Sequence, residues 1–210
     1  MTTRTVYLVG GNPQSRRSLA RTLRLTGFRT HAFAAAADLI DATAYIEPGC
    51  VLLDADLPDG DSIDLLRELG EIRPDLPVII MAADASVPAA VRAIRAGALD
   101  FIEQPFSDTA LLAMLEQAFI HLPQRVRRAL KVRDAVVKGD RLTPRERDVL
   151  DGMLTGRANR EIGDALGIGV RTVEMHRANV MRKLDADSLP ALMRLCLLAG
   201  ITTVESDEAA

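Results

Sequence analysis

Tryptophan is absent from this 210-residue chain, and aromatic residues make up only 3% of it. A surface that binds nucleic acid by stacking successive bases on aromatic rings is therefore not expected. Cysteine is nearly absent too. Cys50 and Cys196 lie far apart, each inside an apolar run, which predicts two buried, reduced thiols rather than a disulfide framework or a metal motif. Cysteine used in this way fits a cytoplasmic location. No apolar run approaches the ~18 residues needed to cross a bilayer, and Met1-Thr2-Thr3-Arg4-Thr5 lacks the apolar region of a signal peptide. No membrane partner is expected. No nucleophile–base pair or metal-ligand cluster stands out, so an enzyme is not expected either. Lysine is missing from the first 130 residues, the first in the chain being Lys131. Internal repeats and low-complexity segments are also missing.

What is present is a chain of two chemical halves. Its net charge of −3 conceals an asymmetry. Residues 1–121 carry ten arginines against sixteen acidic residues, whereas residues 122–210 carry sixteen basic residues against thirteen acidic ones. Opposite signs suggest two modules, the second facing a polyanion.

The first 121 residues alternate strand-like and helix-like stretches. Short apolar strands are predicted at Val6–Val9, Arg29–Ala32, Val51–Asp54, Val78–Met81 and Asp100–Ile102. Helices are predicted near 13–26, 36–45, 61–69, 86–96 and 108–121. Continuous apolar strands separated by helices imply a parallel sheet covered on both faces. Five such units fit a flavodoxin-like, doubly wound α/β domain, whose sites lie at the carboxyl ends of the strands. Those ends are Gly10-Gly11, Asp54, Ala82-Ala83 and Gln104-Pro105. At the first of them, Asn12-Pro13 reads as a helix cap with proline in the first turn, and Ser86 and Pro88 read as caps of the fourth helix. A strand, a glycine turn and a helix can cradle a phosphate. However, Gly10-Gly11-Asn12 is not a dinucleotide fingerprint, and no phosphate-binding lysine follows.

Residues 122–141 are basic and only patchily amphipathic, and read as a linker with a possible helical extension. From residue 142 the periodicity is helical throughout, and residues 142–204 read as an all-α domain of four helices. Thr143, Pro144 and Glu146 form a capping box. Asn159 is a candidate cap for a short second helix, and Gly167-Ile168-Gly169 makes a tight turn. Residues 170–186 form a longer third helix, and Ser188 caps a fourth that stops at Gly200. Residues 205–210 form an acidic tail. Two helices joined by a three-residue glycine turn, the second longer and basic, make a helix-turn-helix. At 100° per residue, Val173, His176, Val180 and Leu184 share the core stripe of the third helix. Arg171, Glu174, Met175, Ala178 and Arg182 lie opposite, flanked by Thr172, Asn179 and Lys183. This suits the major groove of double-stranded DNA.

The run from "LTPRERDVL" through "NREIGDALGI", "RTVEMHR" and "VMRKL" to "SLPALMRL" resembles the LuxR/FixJ-type DNA-binding domain, from Leu142 to about Gly200. A serine is usual where Gly169 stands. The resemblance implies base contacts from Glu174, Met175 and Ala178, to which Asn179 is added here. It implies phosphate contacts from Arg160, Arg171, Thr172, Arg177, Arg182 and Lys183. His176 is read as structural. Met175 and Ala178 cannot form bidentate hydrogen bonds, so their contact with a base is limited to thymine methyls.

"VLLDADLPDGDSIDLL" and "VPAAVRAIRAGALDFIEQPF" are similar to the receiver domain of FixJ-type response regulators, over residues 4–121. A receiver accepts a phosphoryl group on the aspartate at the end of a central strand, here Asp54. Its helpers are an acidic pair that holds Mg²⁺, a Thr or Ser, and a lysine, which together offset charge gathering on the phosphoryl oxygens. The pair falls on Gly10 and Gly11, the hydroxyl on Ala82 and the lysine on Gln104. The resemblance also makes Phe101 the switch aromatic and Gln104-Pro105 a cis peptide bond, and it places a receiver dimer face around Val91 and Arg95.

The sequence thus reads as a two-domain transcription regulator that binds DNA as a homodimer. Its receiver is degenerate: Asp54 is vestigial, Mg²⁺ binding is lost or weak, and no other cofactor is expected. Control without aspartyl phosphorylation is the main reading, through constitutive pairing, a ligand, or a sensor kinase or other regulatory protein as partner. A conventional regulator phosphorylated on Asp54 and a protein-binding adaptor are the alternatives. The last helix, apolar almost all round, is expected to pair with a second copy through Leu192 or Leu195.

Overall fold

The computed structural model describes residues 4–84 and 86–201. The expected acidic tail at 205–210, and residues 202–204 of the expected second domain, lie outside the described residues. The chain divides into two compact units, Met1–Ala129 and Leu130–Ala210.

The first unit alternates strand and helix. Strands β1 (Thr5–Val9), β2 (Arg29–Phe33), β3 (Cys50–Asp54), β4 (Val78–Ala82) and β5 (Asp100–Glu103) form one sheet of order β2-β1-β3-β4-β5. All four pairings are parallel. Helices α1 (Pro13–Leu25), α2 (Ala36–Ala42), α3 (Ser62–Ile72), α4 (Val87–Arg95) and α5 (Asp108–Asp140) connect and follow the strands. The side-chain period of two sorts each strand between two cores. Val6, Leu8, Leu52 and Ile79 pack with Leu23 of α1 and with Leu111 and Leu115 of α5. Tyr7, Val9, Val51, Leu53 and Ile80 pack with Leu39, Leu65, Leu66 and Leu69 of α2 and α3. Because every strand runs the same way, Gly10, Asp54, Ala82 and Gln104 arrive at one edge of the sheet. The strand order reverses between β1 and β3, the position at which such folds hold ligands.

The α1 cap is the one expected: Asn12 accepts hydrogen bonds from the N–H groups of Gln14 (3.0 Å) and Ser15 (2.9 Å). Helix α4 differs, since Ser86 stands at its N-cap without a side-chain hydrogen bond. The expected linker at 122–141 is largely helix. Helix α5 runs unbroken for 33 residues through Pro123 and carries the chain from the first unit into the second. Good helix formers such as Arg127, Arg128 and Lys131 outweigh the patchy apolar pattern that suggested a boundary.

The second unit contains α6 (Pro144–Leu154), α7 (Asn159–Leu166), α8 (Val170–Lys183) and α9 (Leu189–Ala199). Val149, Leu150, Met153, Ile162, Val173, Val180, Leu184, Leu192 and Cys196 form its core. The capping box of α6 closes as expected, Thr143 N–H to Glu146 Oε2 at 2.8 Å and Glu146 N–H to Thr143 Oγ1 at 3.3 Å. Asn159 is not a cap. Helix α7 starts from Ala158, whose N–H is held instead by Glu161 Oε2 at 2.7 Å. Among the described residues, no helix is long and apolar enough to cross a membrane.

Candidate functional site

Helices α7 and α8 are joined by a turn that only small residues allow. Gly167 closes α7 in the left-handed region, at φ 65°. A Cβ on Gly163 would stand 2.7 Å from the carbonyl oxygen of Ile168, so this glycine makes room for the turn itself rather than for a neighbouring helix. Gly169 caps α8 without a side chain.

On α8, Val173 and Val180 are buried, with Leu184 just beyond its end, and His176 is half-buried among them. The His176 Nδ1 is buried without a hydrogen-bond partner. Arg171, Glu174, Met175, Ala178 and Arg182 are exposed, as is Arg160 on α7. Thr172, Arg177 and Asn179 are half-buried beside them. The centre of the outward stripe is Arg171, Met175, Ala178 and Arg182, an apolar middle between two arginines. Met175 is 53% exposed. Val170, at the first position of α8 and also exposed, extends the apolar edge. Its place on neither stripe hid it in the sequence.

Lys183 departs from the expected phosphate contact. Its ammonium donates to Glu146 Oε2 at 2.6 Å and to the Arg141 carbonyl at 3.0 Å. Glu146 is 4% exposed. Burial pushes its carboxyl up, but the bonds from Lys183 and Thr143 prevail and hold it below the ordinary glutamate value. Lys183 is thus the counter-ion of a buried carboxylate. Its position four turns from the start of α8 suggested an outward cation, and its partner lies 37 residues away.

Leu192 is also corrected. It is fully buried in the core of its own unit, and Leu195 is half-buried against that core. The outward apolar stripe of α9 is instead Leu189, Met193 and Leu197, at spacings of four, with Leu197 67% exposed. A helix apolar on nearly every side gives no phase from sequence alone, so which leucines face inward emerges only from packing. On the first unit, Val91 and Arg95 of α4 are exposed, as are Val87 and Ile94.

At the strand ends of the first unit, Asp54 is half-buried at the end of β3. Burial raises its carboxyl above the ordinary aspartate value, and the charge of Asp56 adds to this. The Asp56 N–H, 3.0 Å from Asp54 Oδ1, and the Gln104 amide act the other way. Facing it, Gly10 and Gly11 are both left-handed, at φ 78° and 71°. A Cβ on Gly10 would stand 2.7 Å from Leu57 Cδ2, and one on Gly11 2.8 Å from Asp54 Oδ2. The Arg16 guanidinium, through Nη1, donates to the carbonyls of Gly10 (2.9 Å) and Gly11 (2.7 Å) and ties the loop to α1. Ala82 is buried, Gln104 and Phe101 are half-buried, and the Gln104-Pro105 peptide bond is cis. A cleft of about 510 Å³ opens here, bordered by Gly10, Gly11, Arg16, Asp54, Gln104 and Phe106.

A doubly wound α/β domain with its site at the strand ends, followed by a helix-turn-helix unit, defines a receiver joined to a regulatory DNA-binding module. Comparisons with known proteins agree. The family described as "Response regulator receiver domain" matches residues 6–116, and "Bacterial regulatory proteins, luxR family" matches residues 140–196. The chain is 38% identical over 200 residues to the transcriptional regulatory protein FixJ of Rhizobium meliloti, covering 95% of this chain and 98% of that one. It is 30% identical to the response regulator protein TmoT of Ectopseudomonas mendocina, covering 90% and 86%. Full-length FixJ from B. japonicum superposes with a TM-score of 0.56 at 35% identity, over 96% of this chain and 99% of that one. The chain belongs to the FixJ/LuxR-type response regulators, which are DNA-binding regulators of transcription.

Proposed function

We propose that this regulator binds its operator as a homodimer through α8, and that its receiver is controlled without phosphorylation of Asp54. The observation that carries the second point is the β1–α1 loop. Phosphotransfer of the receiver type relies on Mg²⁺, which prefers about six oxygens in near-octahedral array, several of them water, anchored by carboxylates. Here the loop that faces Asp54 offers glycines, left-handed and crowded against Asp54 and Leu57. Among the described residues, no group of three or more His, Cys, Asp or Glu side chains is placed to hold a metal ion. The donor set does not fit the ion. The positions that would meet phosphoryl oxygens directly are Ala82 and Gln104, which offer no hydroxyl and no cation.

Asp54 then serves as a half-buried acceptor for the Asp56 N–H and fixes the turn after β3. The site can still transmit a state through the cleft beside it, from a small ligand or from a protein such as a sensor kinase, without covalent chemistry. On the DNA side, Glu174 and Met175 read base edges while Arg160, Arg171, Arg177 and Arg182 hold phosphates. The outward stripe of α9 supports pairing, because Leu189, Met193 and Leu197 have no cover in their own unit.

Incubation with acetyl phosphate and Mg²⁺, followed by intact mass measurement, tests the reading. The expected spectrum is unmodified, with operator affinity and oligomeric state unchanged. A stable gain of one phosphoryl group that disappears in Asp54→Asn refutes it.

A further inference from the structure

Helix α1 gathers positive charge in a unit that is acidic as a whole. It holds Arg16, Arg17, Arg21 and Arg24 and no carboxylate. Arg17 and Arg21 are four residues apart and Arg21 and Arg24 three, spacings at which like charges oppose a helix. Among the described residues, none of the four forms an ion pair. Pro13, Arg17, Ala20 and Arg24 share one face of α1, at spacings of four, three and four. Ala20 on that face and Ala32 on the edge strand β2 are small, and between them opens a hollow of about 280 Å³. Arg16, Arg17 and Arg24 border it with Pro13 and the two alanines, and no carboxylate does. Two of these arginines are held in place through one nitrogen each. Arg24 Nε donates to Oγ1 of buried Thr30 at 2.7 Å, and its Nη groups have no partner among the described residues. Arg16 Nη1 is engaged by the Gly10 and Gly11 carbonyls, and its Nε and Nη2 have no such partner. Arg16 also borders the cleft beside Asp54.

We propose that the hollow between α1 and β2 binds a small phosphate-bearing anion through Arg16, Arg17 and Arg24. A guanidinium presents a planar fork of donors that matches phosphate oxygens. Three of them around one hollow call for a ligand with more than one negative charge and several acceptor oxygens, which a phosphate or diphosphate group supplies and a single carboxylate does not. The hollow lies at the small end of the range for ligand pockets, so the recognised group is compact. An anion seated there also offsets the repulsion among the arginines of α1. Arg16 gives the site a route to the strand ends, because the same guanidinium holds the loop that faces Asp54. Use of the site as an input to the receiver rests on the proposed control without aspartyl phosphorylation, whereas the binding itself does not.

The test titrates the full, isotope-labelled chain with inorganic pyrophosphate and, separately, with adenosine diphosphate. Both titrations are made without Mg²⁺ and at about 0.15 M salt, where distant charges are screened. Amide signals read by nuclear magnetic resonance locate the site, so anion binding to the helix-turn-helix is told apart from binding to α1. Saturable shifts are expected at residues 13–24 and at Ala32, with Gly10 and Gly11 moving in step through Arg16. Equal affinity for the two probes assigns recognition to the diphosphate group alone, and tighter binding of the nucleotide assigns a further contact to its ester. Arg17→Gln/Arg24→Gln is expected to bind pyrophosphate at least tenfold more weakly, and the lysine pair at the same positions to fall between it and the parent, since lysine keeps the charge but not the fork. Arg17→Gln alone, an exposed change that leaves the Arg24–Thr30 bond intact, is expected to weaken binding severalfold. Arg67→Gln, which removes one charge from α3, is expected to match the parent. Absence of shifts on α1 with either probe overturns the proposal, as does parental affinity in the glutamine variants or an equal loss in Arg67→Gln. Shifts on α1 with Gly10 and Gly11 unmoved overturn the route through Arg16. Phosphorylation of Asp54 by acetyl phosphate refutes the reading of the receiver and leaves these shifts unchanged, so the two fail separately.

Discussion

Replacing Lys183 with methionine separates the two roles available to this side chain. The Lys183–Glu146 pair is short, at 2.6 Å, and its carboxylate is buried while the lysine side chain keeps 24% of its exposure. Removing one member of a fully buried pair costs about 3–5 kcal/mol. Partial exposure of the ammonium and the capping-box N–H retained by Glu146 lower this to about 2–3 kcal/mol. The loss has a definite pH dependence. In the parent, the Glu146 carboxyl lies below its ordinary value. The pair therefore stabilises the fold above the unfolded glutamate pKa of about 4.3, and that contribution is lost as pH falls through the lower, folded value. In Lys183→Met, burial is opposed only by the Thr143 hydrogen bonds, and the folded carboxyl titrates higher than in the parent. Protonation then relieves the variant first, so the difference from the parent is largest near neutrality and narrows on acidification. Hydrogen exchange of the full chain reads this out at the α6 and α8 amides. The expected change is a loss of protection of about thirtyfold to about 140-fold at neutral pH, since about 1.4 kcal/mol is a factor of ten, and a smaller loss near pH 4.5. Parental protection, together with a salt slope for DNA binding reduced by about one contact, would show that Lys183 holds phosphate and that the ion pair is incidental.

Other perturbations reach the remaining parts of the molecule. Substituting deoxyuridine for thymine in an operator removes only the 5-methyl group; affinity is expected to fall at the position facing Met175, and Met175→Ala is expected to erase the difference between the two duplexes. On α9, Leu197→Glu is expected to abolish cooperative binding to a two-half-site duplex while the circular dichroism spectrum stays parental, whereas Leu192→Ala costs about 2–5 kcal/mol of stability because Leu192 is core. Introducing Gly10→Asp and Gly11→Asp together is expected to raise Mg²⁺ affinity, as read by titration calorimetry, while destabilising the receiver by about 1–3 kcal/mol per strained residue, as read by thermal unfolding.

The sequence carried the architecture well, for reasons visible in single elements. Buried parallel strands are apolar throughout, so Val6–Val9 and Val78–Met81 announce themselves, and Asn12 and the Thr143/Glu146 box mark helix starts by local hydrogen bonding. Local signals were weaker where a neighbour three residues away replaces the usual cap. The α7 start was therefore displaced from Asn159 to Ala158, which relies on Glu161. Helix α5 outran its expected end because propensity, not amphipathicity, sustains it past residue 121. At the candidate site, residue types were legible while their pairings were not. Lys183 and Glu146 are 37 residues apart, Leu192 and Leu197 are indistinguishable by composition, and the left-handed backbone of Gly10 and Gly11 has no signature beyond the glycines themselves.

The β1–α1 loop has a consequence for how such a receiver changes over generations. On the proposed reading of a degenerate receiver, an acidic pair on an otherwise unchanged backbone could be restored step by step by single substitutions. Here each returning side chain meets a left-handed φ and an existing atom within 3 Å, and the Arg16 tether holds the loop in that course. A carboxylate at either position brings strain before it brings a metal, and the cation facing it at Gln104 would still be missing. On the proposed reading the first step back is uphill, so the loop would act as a ratchet against a return to phosphate.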